Sequence, residues 1–167
     1  MTYLAGPLGE HHDLGGFDCG NDHLNEWLRL HARTATGQGT RTYIVLDGAG
    51  RVVGYFSIAP HTIDRESLSK AQGRGAPRQI PAVLLAKLAL AGDLQGQRLG
   101  SELLVVALGI IVEAARRVGG KVVVVDAIDA VAARFYVHHE FVPIPGNPYR
   151  LVRKLSAIAR ALDLPWP

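Results

Sequence analysis

One cysteine, one methionine and 7% aromatic residues are what this 167-residue chain has least of, and the cysteine scarcity closes off whole classes of protein. A single thiol, Cys19, excludes an internal disulfide framework and a cysteine-built zinc site. With no evident catalytic partner it reads as a small packed side chain, and no metal is expected. No apolar run reaches the roughly 18 residues that cross a bilayer without a charge interrupting it. Met1 to Asp13 lacks the basic-then-apolar pattern of a secretion signal. A cytoplasmic protein with no membrane contact is therefore expected. Internal repeats and low-complexity stretches are also absent.

What is present describes an ordinary globular chain. Hydrophobic residues make up 48% and charged ones 20%, which argues against disorder. The length fits a single domain, 1–167, with a sizeable core. Net charge is only +3, yet the basic residues are uneven. Arg65, Lys70, Arg74, Arg78 and Lys87 face only Asp64 and Glu66 between positions 64 and 87, and Arg150, Arg153, Lys154 and Arg160 lie in a stretch without acids. Two readings stand: a solvated surface with chance clustering, or a positive face for a polyanion.

The element order is alternating α/β. Asn21 caps a helix whose positions Leu24, Trp27, Leu28 and His31 recur at helical spacing to about Arg33, before Gly37-Gln38-Gly39. Thr42 to Leu46 and Val52 to Ile58 form a hairpin around Asp47-Gly48-Ala49-Gly50. Ala59 to Ile80 reads as a loop with one short helix around Arg65 to Ala71. A strand Ala82 to Leu90, a helix Leu99 to Val118, a strand Val122 to Ala127 and a helix Ala130 to His138 follow. Phe141 to Ile144 and Arg150 to Lys154 are closing strands, and Ser156 to Leu162 is a terminal helix.

Gln95-Gly96-Gln97-Arg98-Leu99-Gly100 links the strand before it to the long helix after it. A glycine-containing turn at a helix N-terminus leaves N–H groups at the positive end of the helix dipole, where a phosphate can sit. A second block, Phe135-Tyr136-Val137-His138-His139-Glu140-Phe141, follows the next strand. Together the two blocks resemble the Gcn5-related N-acetyltransferases. Phe17-Asp18-Cys19-Gly20, Leu24, Trp27-Leu28, His31-Ala32, Arg41-Thr42-Tyr43, Gly54-Tyr55-Phe56-Ser57, Ile80 to Ala89 and Asp126-Ala127 narrow the likeness. With those blocks the chain is similar to the acetyltransferase toxins of bacterial toxin–antitoxin modules, over nearly its whole length.

That resemblance implies a mixed central sheet splayed around an acetyl-CoA site, with flanking helices. It implies acetyl transfer to the α-amino group of an aminoacyl-tRNA, blocking translation. The cofactor would lie along Leu88, Ala89 and Leu90 and be held at its pyrophosphate by Gln95, Gly96, Gln97, Arg98, Leu99, Gly100 and Ser101, with Asp129 a further contact. A ribbon-helix-helix antitoxin and a homodimer are implied partners. Arg29, Arg33, Lys70, Arg74, Arg78 and Lys87 are the residues expected to hold tRNA phosphates. Two positions depart from the family pattern: Arg98 and Glu140 stand where glycine is usual.

Tyr136 is the expected catalytic side chain. A coenzyme leaving as a thiolate needs a proton, and a phenol of pKa about 10 is protonated at neutral pH. The acceptor is constrained by an absence, since Ala82 to Leu90 contains no Asp or Glu. A lysine acceptor, pKa about 10.4, needs a general base, whereas an α-amine near 7.7–8.0 is already partly neutral. Other classes remain: an acetyltransferase acting on a small-molecule amine or a protein, and a non-catalytic binding module that retains the fold.

Overall fold

A computed structural model describes residues 3–167, which divide into two units: 3–59 with 86–107, and 60–85 with 108–167.

The first unit begins with β1 (Leu4–Pro7), a strand the sequence analysis did not anticipate because Gly6 and Pro7 mask it. It pairs antiparallel with β2 (Arg41–Leu46), from Leu4↔Leu46 to Pro7↔Tyr43. The expected hairpin joins β2 to β3 (Val52–Asp64). Its turn is closed by the Asp47 carboxylate, which accepts from the Ala49 and Arg51 amides at 2.9 Å. Thr42 lies opposite Ser57 in the register, and their buried hydroxyls bond at 2.8 Å, so neither polar group is stranded in the core.

Asn21 caps α1 (Asp22–Leu30), accepting from the Leu24 amide. The single helix expected to about Arg33 is instead two. His31 adopts φ −121°, outside the helical region, closing α1 through its N–H and opening α2 (Ala32–Gly37) through its carbonyl. No Pro or Gly marks that break. Leu24, Leu28 and Ala32 are buried, and the Tyr55 hydroxyl donates to the Leu24 carbonyl at 2.8 Å. Trp27 stacks on Tyr55 and Phe17 meets it edge-on, so these aromatic rings fasten α1 to the hairpin.

In the second unit the stretch read as a loop from Ala59 is partly strand. β3 runs on to Asp64 through Pro60. Its pairing with β2 ends at Arg41↔Ile58, and a proline beyond that point removes no ladder bond to β2. A 3-10 turn (Arg65–Ser67) and α3 (Lys70–Gly73), held by a Ser69–Gln72 capping box, lead to β4 (Gln79–Leu90). β4 pairs parallel with β5 (Val122–Asp126), from Ala82↔Val122 to Leu85↔Val125. Val122 to Val125 are buried at every position, as a strand covered on both faces requires.

α4 (Leu99–Val118) and α5 (Ala130–His138) have the bounds expected from the sequence. β6 (Val142–Ile144) and β7 (Asn147–Lys154) close the sheet antiparallel to one another, with β7 also antiparallel to β5. α6 (Leu155–Ala161) ends the chain's regular structure. The strand order is β1-β2-β3-β4-β5-β7-β6, with β3, β4 and α4 contributing residues to both units. This is the expected mixed α/β sheet. Among the described residues no helix is long and apolar enough to cross a membrane.

Candidate active site

In the first unit the turn Gln95–Gly100 leaves β4 through a 3-10 turn (Gly92–Leu94) and enters α4. Gln95 is its strut: Nε2 donates at 2.8 Å to the carbonyls of both Cys19 and Leu90. Gln97 donates to the Asp93 carbonyl at 3.3 Å. With the Gln95 and Gln97 side chains engaged in building the loop, the main chain and the exposed Arg98 side chain are what the turn offers a ligand. The first amides of α4 lack i−4 partners and form the positive end of a 20-residue helix. Gly96 has φ +81°, and a Cβ added there would meet nothing within 4 Å, so open space lies over the turn.

Arg98 has φ +64°. Its backbone is left-handed, the conformation for which glycine is usual, and its exposed side chain has no partner among the described residues. Of the expected pantetheine contacts, Ala89 is buried and Leu88 and Leu90 are half-buried.

Tyr136 belongs to the second unit. Its ring is buried, 8% exposed, against Phe135 and Phe141, each edge-on at 5.4 and 5.6 Å. Burial pushes its pKa well above the ordinary phenol value. No described residue hydrogen-bonds its hydroxyl. Since no fully buried side-chain polar atom among the described residues lacks a partner, that hydroxyl reaches accessible space. Glu140, the second departure, has φ +68° at the end of α5 and pairs with Arg153 at 3.0 Å. It too occupies a backbone state suited to glycine. Asp129 is the N-cap of α5, accepting from the Ala132 amide at 2.8 Å; its carboxylate holds the helix start.

The six basic residues expected to meet tRNA fall into both units. Lys70, Arg74 and Arg78 are exposed on the segment 65–78, with no acidic partner among the described residues. Arg29 is exposed on α1. Arg33 is engaged: its Nη2 donates to the carbonyls of Gly9, Glu10 and His12, the last at 2.8 Å. Lys87 lies 5.1 Å over the Trp27 ring, and burial lowers its ammonium pKa. Both have structural work that their charge alone does not reveal.

No family model matches the sequence. Structurally the chain is similar to AtaT complexed with acetyl-methionyl-tRNAfMet, with TM-score 0.86 and 29% identity over 96% of this chain and 99% of that one. It is also similar to a Tyr-to-Phe mutant of AtaT bound to the C-terminus of the antitoxin AtaR and acetyl-CoA, with TM-score 0.80 and 27% identity over 95% and 97%. Fold and sequence together define an acetyltransferase toxin. A curated relative sharpens the class: the tRNA-acetylating toxin of Mycobacterium tuberculosis (strain ATCC 25618 / H37Rv) is 35% identical over 150 residues, 90% of each chain. The chain belongs to the tRNA-acetylating toxin family.

Proposed function

We propose that this protein transfers the acetyl group of acetyl-CoA to the α-amino group of an aminoacyl-tRNA and thereby blocks translation. One observation carries the reading: 35% identity along 90% of a tRNA-acetylating toxin. The turn fits the cofactor, because Gly96 opens space over it and the α4 amides offer donors for phosphate. Acetyl-CoA, when bound, supplies an acyl group activated as a thioester. Gln95 to Ser101 hold its phosphates through main chain, the exposed Arg98 guanidinium adds a charged contact to them, and the end of β4, Leu88 to Leu90, lies along its arm.

Tyr136 holds the proton that the coenzyme's sulfur requires on departure. Its raised pKa keeps that proton in place across the physiological range, and a Tyr-to-Phe mutant of the related AtaT fits a role for such a phenol. The acceptor amine needs no strong base, being partly neutral at pH 7–8. Lys70, Arg74 and Arg78 attract the tRNA backbone, with Arg29 adding to them; Arg33 and Lys87 contribute through the surfaces they shape.

The partner reading is an antitoxin with a ribbon-helix-helix fold whose acidic or amphipathic tail competes with tRNA for the basic face. A homodimer in the cytoplasm completes it. Incubating purified protein with labelled acetyl-CoA and total charged tRNA tests the reaction. Label is expected in acetyl-aminoacyl-tRNA and not in deacylated tRNA; label passing only to polyamines or peptides would exclude it.

A further inference from the structure

Acetyl transfer gives no role to the acid-free stretch that holds Arg150, Arg153, Lys154 and Arg160. Two of these cations are committed within the second unit. Arg150 forks onto the Asp126 carboxylate at 2.9 and 3.2 Å and reaches His61 Nε2 at 3.1 Å, and Arg153 pairs with Glu140 at 3.0 Å. Lys154 is different. Its Nζ donates to a neutral group, the Ala71 carbonyl at 3.1 Å, so the rest of its N–H donors and its whole charge are left without a protein counterpart among the described residues.

Lys154 is the last residue of β7, and α6 follows it directly. The Leu155 amide donates to the Lys121 carbonyl at 3.0 Å, which fastens the residue before β5 to the start of α6. Gly120 makes the approach possible: it has φ +140°, and a Cβ there would stand 3.2 Å from Leu155 Cδ1. Lys121 and Lys154 thereby line one cavity of about 100 Å³, together with Gly120, Ser156 and, beyond α6, the half-buried Trp166.

The side chains around this cavity are hydrogen-bond donors. Each ammonium carries three N–H groups, the indole carries one, and the serine supplies an O–H. Among the described residues the side chains of Lys121, Ser156 and Trp166 have no partner, and no carboxylate lines the cavity. Two ammonium groups on one wall repel each other, and an anion between them turns that repulsion into attraction. The space equals roughly three waters, which suits a single phosphate group. Donor number decides among anions: a carboxylate offers two oxygens, whereas a phosphate offers more and can engage both ammonium groups, the hydroxyl and the indole together.

We propose that the cavity lined by Lys121, Lys154, Ser156 and Trp166 binds a phosphate group. None of these residues belongs to the candidate active site. The group has two possible sources, an RNA backbone or a small phosphate ester. The bond from Lys154 to Ala71 ties the cavity to α3, beside the exposed Lys70, Arg74 and Arg78, and so favours the backbone.

The test is NMR of the isotope-labelled full chain, whose indole N–H signals come from Trp27 and Trp166 alone; Trp166→Phe identifies the second. Sodium phosphate, compared with sodium chloride at equal ionic strength, is expected to shift the Trp166 signal saturably and leave Trp27 in place. Lys121→Gln should weaken that response about tenfold or more. If that variant does not fold, Ser156→Ala, a change at an exposed position, must weaken it severalfold. No phosphate-specific shift, an equal response to acetate, or a titration unaltered by these substitutions would overturn the assignment. Deacylated tRNA then separates the sources. If it raises the phosphate concentration needed for half the shift, the backbone occupies the cavity; if it does not, the occupant is a small phosphate ester, and the cavity stands in either case. No step uses acetyl-CoA or an aminoacyl group, so the outcome is independent of the acetyl-transfer reading.

Discussion

Replacing Arg98 by glycine probes the turn proposed for the cofactor in two directions at once. At φ +64° the Cβ of any L-residue crowds the following carbonyl, at about 1–2 kcal/mol. Glycine removes that strain, while its freer unfolded chain gives back about 0.5–1 kcal/mol. The net is a stabilisation of about 0.5–1 kcal/mol, a rise of roughly 1–4 °C in Tm for a chain of this size. The cofactor responds with the opposite sign. The Arg98 side chain is exposed on the turn assigned to the pyrophosphate and has no described protein partner. Losing one charge-assisted contact there should raise KM for acetyl-CoA roughly tenfold. Arg98→Ala separates the two effects, since it loses the charge and keeps the Cβ: the KM rise should persist and the Tm gain vanish. Thermal melts of the apo proteins and steady-state kinetics at saturating charged tRNA read both quantities. A lower Tm for Arg98→Gly would refute the strain argument, and an unchanged or lower KM would refute the phosphate contact.

Other expectations concern chemistry, substrate binding and scaffold. Tyr136→Phe should keep the ring contacts with Phe135 and Phe141 and melt within about a degree of wild type, yet slow single-turnover acetylation about 10²–10³-fold; full activity would remove Tyr136 from the mechanism. Because burial raises the Tyr136 pKa above its unfolded value near 10, its stabilising contribution is complete below pH 10 and lost above it. Activity should therefore climb through the amine titration near pH 8 and hold flat to about pH 9.5, and a fall beginning near pH 8.5 would contradict that. Changing Lys70, Arg74 and Arg78 together to Glu should raise KM for charged tRNA and flatten its salt dependence, with acetyl-CoA kinetics untouched; an unchanged salt titration would return these residues to ordinary surface. Arg33→Ala should lower Tm by a few degrees through the three carbonyls it ties together and leave the salt slope intact, whereas a flattened slope with normal stability would restore Arg33 to the tRNA surface.

Much of the fold was legible because its strongest signals are local. Unbroken apolar periodicity between glycine-containing turns places both ends of α4, and the Asp47-Gly48-Ala49-Gly50 turn marks the hairpin. What escaped depends on partners distant in sequence. β1 is visible only through its pairing with β2. The passage of β3 through Pro60 is tolerable only because β2 has already ended. The break at His31 has no local breaker to announce it. In the candidate site, the turn proposed for the cofactor could be located from its glycine, but Gln95 as a strut to Cys19 and Leu90 could not. The left-handed backbone at Arg98 and Glu140 gives the two departures from the family pattern a common physical basis: both stand at backbone positions suited to glycine. Charge alone could not separate Arg33, spent on loop carbonyls, or Lys87, held over Trp27, from the exposed Lys70, Arg74 and Arg78. His61, Asp126 and Arg150 meet only once three strands are laid side by side.

The most direct test is mass spectrometry of charged tRNA after incubation with the purified protein and acetyl-CoA, followed by nuclease digestion to the terminal aminoacyl-adenosine. One acetyl group on the α-amine of the amino acid, absent without enzyme or when the amine is chemically blocked beforehand, is the predicted result. Unmodified aminoacyl-adenosine from every tRNA, with acetyl-CoA left intact, would contradict the account.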